Sequence, residues 1–213
     1  MNVVPSHKIL QQACENMPLF PLPRVVLFPG TLLRLHVFEP RYVQLLQDVQ
    51  EEQGIFAIPM ICMKQLQFST PELHPVAGFG KVVYCDELPE NRYNIVLLGL
   101  GRINIQEELK SDRMYRMVCG KLLSEENENF DVVPLQQLLT QIIMKNPSLS
   151  ETLNVLLHEG LPVRTFLNAV AQIILRSAEE KQLYLEVEQA REQGEMLSEK
   201  LAEVLLEGIS IQE

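Results

Sequence analysis

The sequence predicts an α+β fold: a β-rich lobe carrying one packed helix, followed by a helical bundle. Two observations predict it, a change of apolar periodicity and a change of charge at the same point. Residues 1–125 hold 12 basic and 13 acidic residues, net −1, and their apolar residues fall in short alternating runs. Residues 126–213 hold 6 basic and 15 acidic residues, net −9, and their apolar residues recur at helical spacing. The whole chain of 213 residues is 46% hydrophobic and 22% charged, an ordinary globular balance that excludes disorder and coiled-coil rods. At about 150 residues per domain, that length suits one large domain or two packed lobes.

Met17 to Gly30 opens the β half. Four prolines, Pro18, Pro21, Pro23 and Pro29, deny this stretch a backbone ladder, yet nearly all its other side chains are apolar. It is expected to be an extended edge element pressed onto a core. Leu33, Leu35 and Val37 then alternate with Arg34, His36 and Phe38 as a strand. Pro40 suits a first helical position, and Tyr42, Leu45, Leu46 and Val49 share one helix face until Gly54. Val76–Cys85 and Arg92–Leu98 flank a polar hairpin tip at residues 86–91. The run from Arg92 to Ile105 reads as two strands separated near Gly99 and Gly101, and residues 65–75, with Pro71 and Pro75, as a mobile loop.

Residues 124–129 are linker-like, and four helical runs follow. The first spans Asp131–Lys145, ended by Asn146-Pro147. Ser148 with Glu151 forms a capping box ahead of Leu153, Leu156 and Leu157, and Gly160 ends that run. Pro162 opens a third run through Ile174. Ser177 with Glu180 caps a long acidic helix to about Leu206, with a weak point expected at Gly194. Short connections imply antiparallel packing.

Chemical signatures fail one by one. Gly80-Lys81 and Gly120-Lys121 lack the first glycine and the hydroxyl of a P-loop, and Gly78-Phe79-Gly80 and Gly99-Leu100-Gly101 lack the third glycine of a dinucleotide fingerprint. Those glycines are expected to mark bulges or close approaches in a sheet. His7, His36, His74 and His158 share no chelating spacing, and His36 stands within reach of Glu39. Cys14, Cys62, Cys85 and Cys119 lie 48, 23 and 34 residues apart in apolar surroundings, as reduced core thiols of a cytoplasmic protein would. The N-terminus has no signal-peptide run and no stretch is long enough to span a membrane. No catalytic, cofactor-binding or metal-ligating residue emerges, so the chain reads as non-enzymatic with no cofactor.

Two blocks carry a resemblance. Pro18-Leu19-Phe20-Pro21-Leu22-Pro23-Arg24-Val25-Val26-Leu27-Phe28-Pro29-Gly30 and Phe38-Glu39-Pro40-Arg41-Tyr42, at their mutual spacing, resemble the opening signature of the N-terminal, substrate-binding domain of Lon proteases. Arg92-Tyr93-Asn94-Ile95, Gly99-Leu100-Gly101-Arg102-Ile103 and Glu179-Glu180-Lys181-Gln182-Leu183 resemble later stretches of the same family. The resemblance covers about residues 17–207. It implies a PUA-like β lobe over residues 17–125 and a helical subdomain over 126–213, with residues 1–16 as an N-terminal tail. By this resemblance the chain is expected to be a stand-alone member of the family, without the ATPase and protease modules of a full Lon protease.

The resemblance implies a protein- or peptide-binding module, an adapter in protein quality control, whose partner is a polypeptide of unknown identity. The alternative is an RNA-binding PUA-like protein using Arg24, Arg34, Lys81 and Arg92, against which the net charge of −10 and the lack of a Lys/Arg cluster argue. Partner-binding residues and oligomeric state are not assigned. Phe38, Glu39, Arg41 and Tyr42 are expected to lock the helix start to the sheet, with Glu39 paired to Arg41.

Overall fold

An apolar segment punctuated by prolines has to find its hydrogen bonds outside a regular ladder, and the computed structural model shows how it does so. It describes residues 5–62, 71–123, 130–147, 153–157 and 160–207. These divide into two compact units, residues 1–124 and 125–213, and the two are described separately.

In the first unit, strands β1 (Met17–Pro18), β2 (Leu32–Val37), β3 (Ile55–Ile58), β4 (Val76–Leu88), β5 (Arg92–Leu109) and β6 (Met117–Leu122) form one antiparallel sheet in the order β1-β6-β5-β4-β3, with β2 paired to β5 off this path. The chain just after β1 closes the ring. Leu19 and Leu22 bridge in parallel to Ala57 and Met60, and Phe20 N–H donates to the Ala57 carbonyl at 2.9 Å. Leu19, Phe20, Leu27 and Phe28 are buried, as an extended element pressed on a core must be.

The glycine pairs serve that segment. A Cβ at Gly78 would strike the Leu27 carbonyl and one at Gly99 the Phe28 carbonyl, so the extended backbone crosses the sheet where side chains are missing. Leu100 is the extra residue of a bulge, since Phe79 faces Gly101 while Gly80 faces Gly99. Strand β5 therefore runs unbroken for 18 residues, where the sequence suggested two strands. A bulge lets a glycine-rich stretch bend without ending the ladder.

Helix α1 (His7–Glu15) replaces the expected tail: Leu10 and Cys14 are buried on its inner face with Met17, Phe79 and Val118. Helix α2 (Pro40–Glu51) starts at its proline and buries Tyr42, Val43, Leu45, Leu46 and Val49. Gly54 ends it with φ of 70°, donating to the Val49 carbonyl. The β4–β5 hairpin turns through residues 89–91, with Glu90 and Asn91 at positive φ.

In the second unit, α3 (Val133–Lys145), a 3-10 turn (Val155–Leu157), α4 (Val163–Ile174), α5 (Ala178–Glu186) and α6 (Ala190–Glu207) follow in order. The Ser148 capping box lies outside the described residues; the Ser177–Glu180 box is formed in full. The long acidic helix breaks at residues 187–189 rather than at Gly194. Buried Gln193 donates to the carbonyls of Tyr184 and Val187, and buried Arg164 donates to that of Glu188, so the break is stabilised from outside the chain's own ladder. Gly194 lies inside α6, and the Phe130 ring occupies the space its Cβ would need. Phe130 precedes α3 and meets the start of α6, while Lys145 at the end of α3 bonds the Leu205 carbonyl near the end of α6. Those two helices run parallel, not antiparallel; α5 and α6 do run antiparallel, with Lys200 on Glu180 and Gln193 on Tyr184.

Candidate functional site

The first unit brings the two signature blocks to one cleft of about 280 Å3. One wall is Pro21-Leu22-Pro23, whose prolines carry no N–H and so close that edge to further pairing. The floor is Tyr42, its ring stacked on Phe20 with centroids 3.9 Å and planes 12° apart. Burial raises the Tyr42 hydroxyl above the usual tyrosine pKa, against the lowering influence of Arg41, so it remains neutral. Arg41 lies over the same ring, 4.5 Å from its centroid, and is held by the Glu39 carboxylate at 2.7 Å. Phe38, expected to help lock the helix start, is instead 61% exposed.

The opposite wall is Met114-Tyr115-Arg116, which sequence reasoning missed. Helix α2 fixes this segment. Its Gln44 accepts from the Met114 N–H at 2.9 Å, and its Asp48 accepts from the Tyr115 hydroxyl at 2.8 Å and from Arg113. Burial and the Asp48 hydrogen bond push the Tyr115 pKa up to about 12, so this hydroxyl keeps its proton and goes on donating. Arg116 forks onto Glu108 at 2.8 and 2.6 Å and donates to the Pro71 carbonyl at 2.9 Å. Met114 is left 60% exposed at the rim on a braced backbone. The only sequence signal for it was a short Arg-Met-Tyr-Arg stretch between strands.

The result is a slot of mixed apolar and polar lining, with its two arginines already paired to carboxylates. It suits an apolar side chain on an extended backbone and offers no poised acid, base or nucleophile. Larger hollows lie beside Cys85 (about 720 Å3) and beside Asp48 (about 490 Å3), but neither brings the two blocks together.

The other singled-out residues scatter. His36 bonds Asn94 at 2.8 Å rather than Glu39, and His158 lies outside the described residues. Arg92 is taken up by Pro89 and Glu90 at the hairpin tip. All four cysteines are free thiols, but only Cys14 is fully buried, where burial pushes it up to about 12; Cys85 is exposed, a departure from the expected core position. Most of the expected loop at 65–75 lies outside the described residues. Among the described residues no group of three or more His, Cys, Asp or Glu could hold a metal, and no helix is long and apolar enough to cross a membrane.

Comparison with known proteins gives a consistent picture. The model of the ATP-dependent protease La (LON) substrate-binding domain family matches residues 16–203. A Lon protease of Desulfosudis oleivorans is 21% identical over 178 residues, 81% of this chain and 22% of that protein. Lon protease 4 of Sorangium cellulosum is 34% identical over 99 residues, 46% of this chain and 12% of the relative. The chain thus spans under a quarter of the length of these curated relatives. Among solved structures, a Lon N-terminal domain protein from Xanthomonas campestris is similar with a TM-score of 0.64 at 20% identity, over 85% of this chain and 96% of that one. The N-terminal domain of the Mycobacterium avium complex Lon protease gives 0.67 at 13% identity, over 88% and 98%.

Proposed function

Because the chain belongs to the family of ATP-dependent protease La (LON) substrate-binding domains, we propose that it is a substrate-recognition module that holds extended apolar segments of polypeptide in the Tyr42 cleft. It acts as a non-enzymatic, cytoplasmic adapter in protein quality control. The observation that carries this reading is the convergence of Pro21-Leu22-Pro23, Arg41-Tyr42 and Met114 on one slot. Methionine supplies an adaptable apolar contact, and the prolines and the braced 113–116 segment keep the walls in place without cost on binding.

A cleft this small takes one or two side chains, each worth about 1.5–3 kcal/mol when buried. Together they supply at most about 6 kcal/mol, so a single segment is expected to bind no tighter than roughly tens of micromolar, with longer unfolded chains gaining by repeated engagement. The test is fluorescence anisotropy with a labelled, permanently unfolded polypeptide. Met114→Glu is expected to weaken binding at least about tenfold, a loss of ~1.4 kcal/mol. Met144→Glu, at a methionine 76% exposed in the helical unit, serves as the control and is expected to leave binding unchanged. Equal loss in both variants, or in neither, rejects the cleft as the recognition site.

A further inference from the structure

Strand β2 pairs with β5 along one side, and among the described residues its other side has no strand partner. Its edge carries one protective charge, Arg34, and none of the other usual protections. It contains no proline and no bulge, and its outward side chains include Leu32, 64% exposed, followed just beyond the strand by Phe38, 61% exposed. The prolines that seal the edge at residues 21–23 have no counterpart here.

The polarity of the edge follows from the ladder. Gly99 N–H donates to the Thr31 carbonyl at 2.9 Å, which puts residue 31 in hydrogen-bonding register with β5. By alternation Leu33, Leu35 and Val37 direct their backbone groups to β5, and Leu32, Arg34 and His36 direct theirs outward. The side chains of these three residues lie on the exposed face of the strand.

We propose that this edge is a self-association surface, in which β2 pairs antiparallel with β2 of a second copy about a two-fold axis at Leu35. Charge selects the register. An axis at Arg34 would set two guanidinium groups directly opposite each other, which is destabilising. An axis at Leu35 keeps every outward N–H and C=O in a hydrogen-bonding pair and sets Arg34 against His36 of the other copy. It also sets Leu32 against Phe38, so the two exposed apolar side chains at the ends of the edge cover each other. A single strand pair buries little surface, so the dimer is weak and concentration-dependent.

The axis supplies the test, made with the full chain in a Cys85→Ser background to remove the exposed thiol. Leu35 on the axis forms a non-hydrogen-bonded pair with its own copy, with Cα atoms about 4.5 Å apart, within disulfide reach. Leu35→Cys under mild oxidation is expected to give a covalent dimer, whereas Leu33→Cys, facing Val37 of the second copy, is not. In sedimentation velocity the wild type is expected to sediment faster as concentration rises. Arg34→Pro removes one outward N–H without touching the β5 ladder, so it should retain the wild-type circular dichroism and abolish that rise. Cross-linking that is equal at both cysteine positions or absent from both, a wild type that stays monomeric throughout, or loss of unfolded-polypeptide binding in Arg34→Pro without any change in self-association would overturn the proposal. The last outcome would assign the edge to a client strand.

Discussion

The ring of Tyr42 lies flat against that of Phe20, 3.9 Å between centroids, and so joins the first residue block of the family signature to the second. Both rings are buried with Phe56 and Leu46 in the core under helix α2. The cleft floor is therefore a piece of core exposed at one face. Tyr42→Ala is expected to cost about 3–5 kcal/mol in urea unfolding, as large aromatic truncations in cores do, while Tyr42→Phe costs much less. Equal costs for the two would mean that the hydroxyl, not the stack, fixes the floor.

Gly194 tests the seat of Phe130. Alanine is the better helix former by about 1 kcal/mol, yet its Cβ would collide with the Phe130 ring. Gly194→Ala is expected to destabilise by about 1–3 kcal/mol, and the same change in a Phe130→Ala background to be neutral or stabilising. Additive effects in this cycle would contradict the contact.

The break between α5 and α6 rests on Gln193. Gln193→Leu keeps the volume but removes one hydrogen bond each from Arg164 Nη1 and from the Tyr184 and Val187 carbonyls, and is expected to cost about 2–4 kcal/mol by chemical unfolding. A cost below about 0.5 kcal/mol would show that the break is set by the chain itself.

Glu180 gives a pH dependence. The hydrogen bond from Lys200, with help from the Ser177 and Arg176 backbone N–H groups and against the opposing effect of burial, lowers its pKa from 4.5 to about 2. Because the folded value lies below the unfolded one, its stabilisation is complete above pH 4.5 and is lost as pH falls towards 2. Thermal melting should show Glu180→Gln less stable than wild type at neutral pH, with the gap closing across that acid window. A gap that stays constant with pH would remove Glu180 from the acid response.

The sequence exposed these features unevenly. Helix α2 was legible because Pro40 and the Tyr42–Val49 stripe act within one turn of each other, and the Ser177 cap because its two partners are three residues apart. The glycine pairs were read as sheet approaches, and the structure supplies what approaches, the Leu27 and Phe28 carbonyls. What stayed hidden depends on distant residues. Gln193 and Arg164 decide where the acidic helix breaks, and no local propensity marks residue 187 as the place. Met114 carries no periodic signal because Gln44 and Asp48, some 70 and 67 positions away from Met114 and Tyr115, fix its segment. The signature blocks were visible, but their convergence with Met114 on one cleft was not.

Of all measurements, methyl NMR with labelled methionine tests the recognition cleft most directly, because the eight methionines report from separate places in the chain. Titration with an unfolded polypeptide is expected to shift the Met114 methyl signal first and most, with buried Met17 and exposed Met144 unmoved at the same concentrations. A largest shift at Met144, or binding that leaves Met114 unperturbed, would contradict the assignment of the Tyr42 cleft as the recognition site.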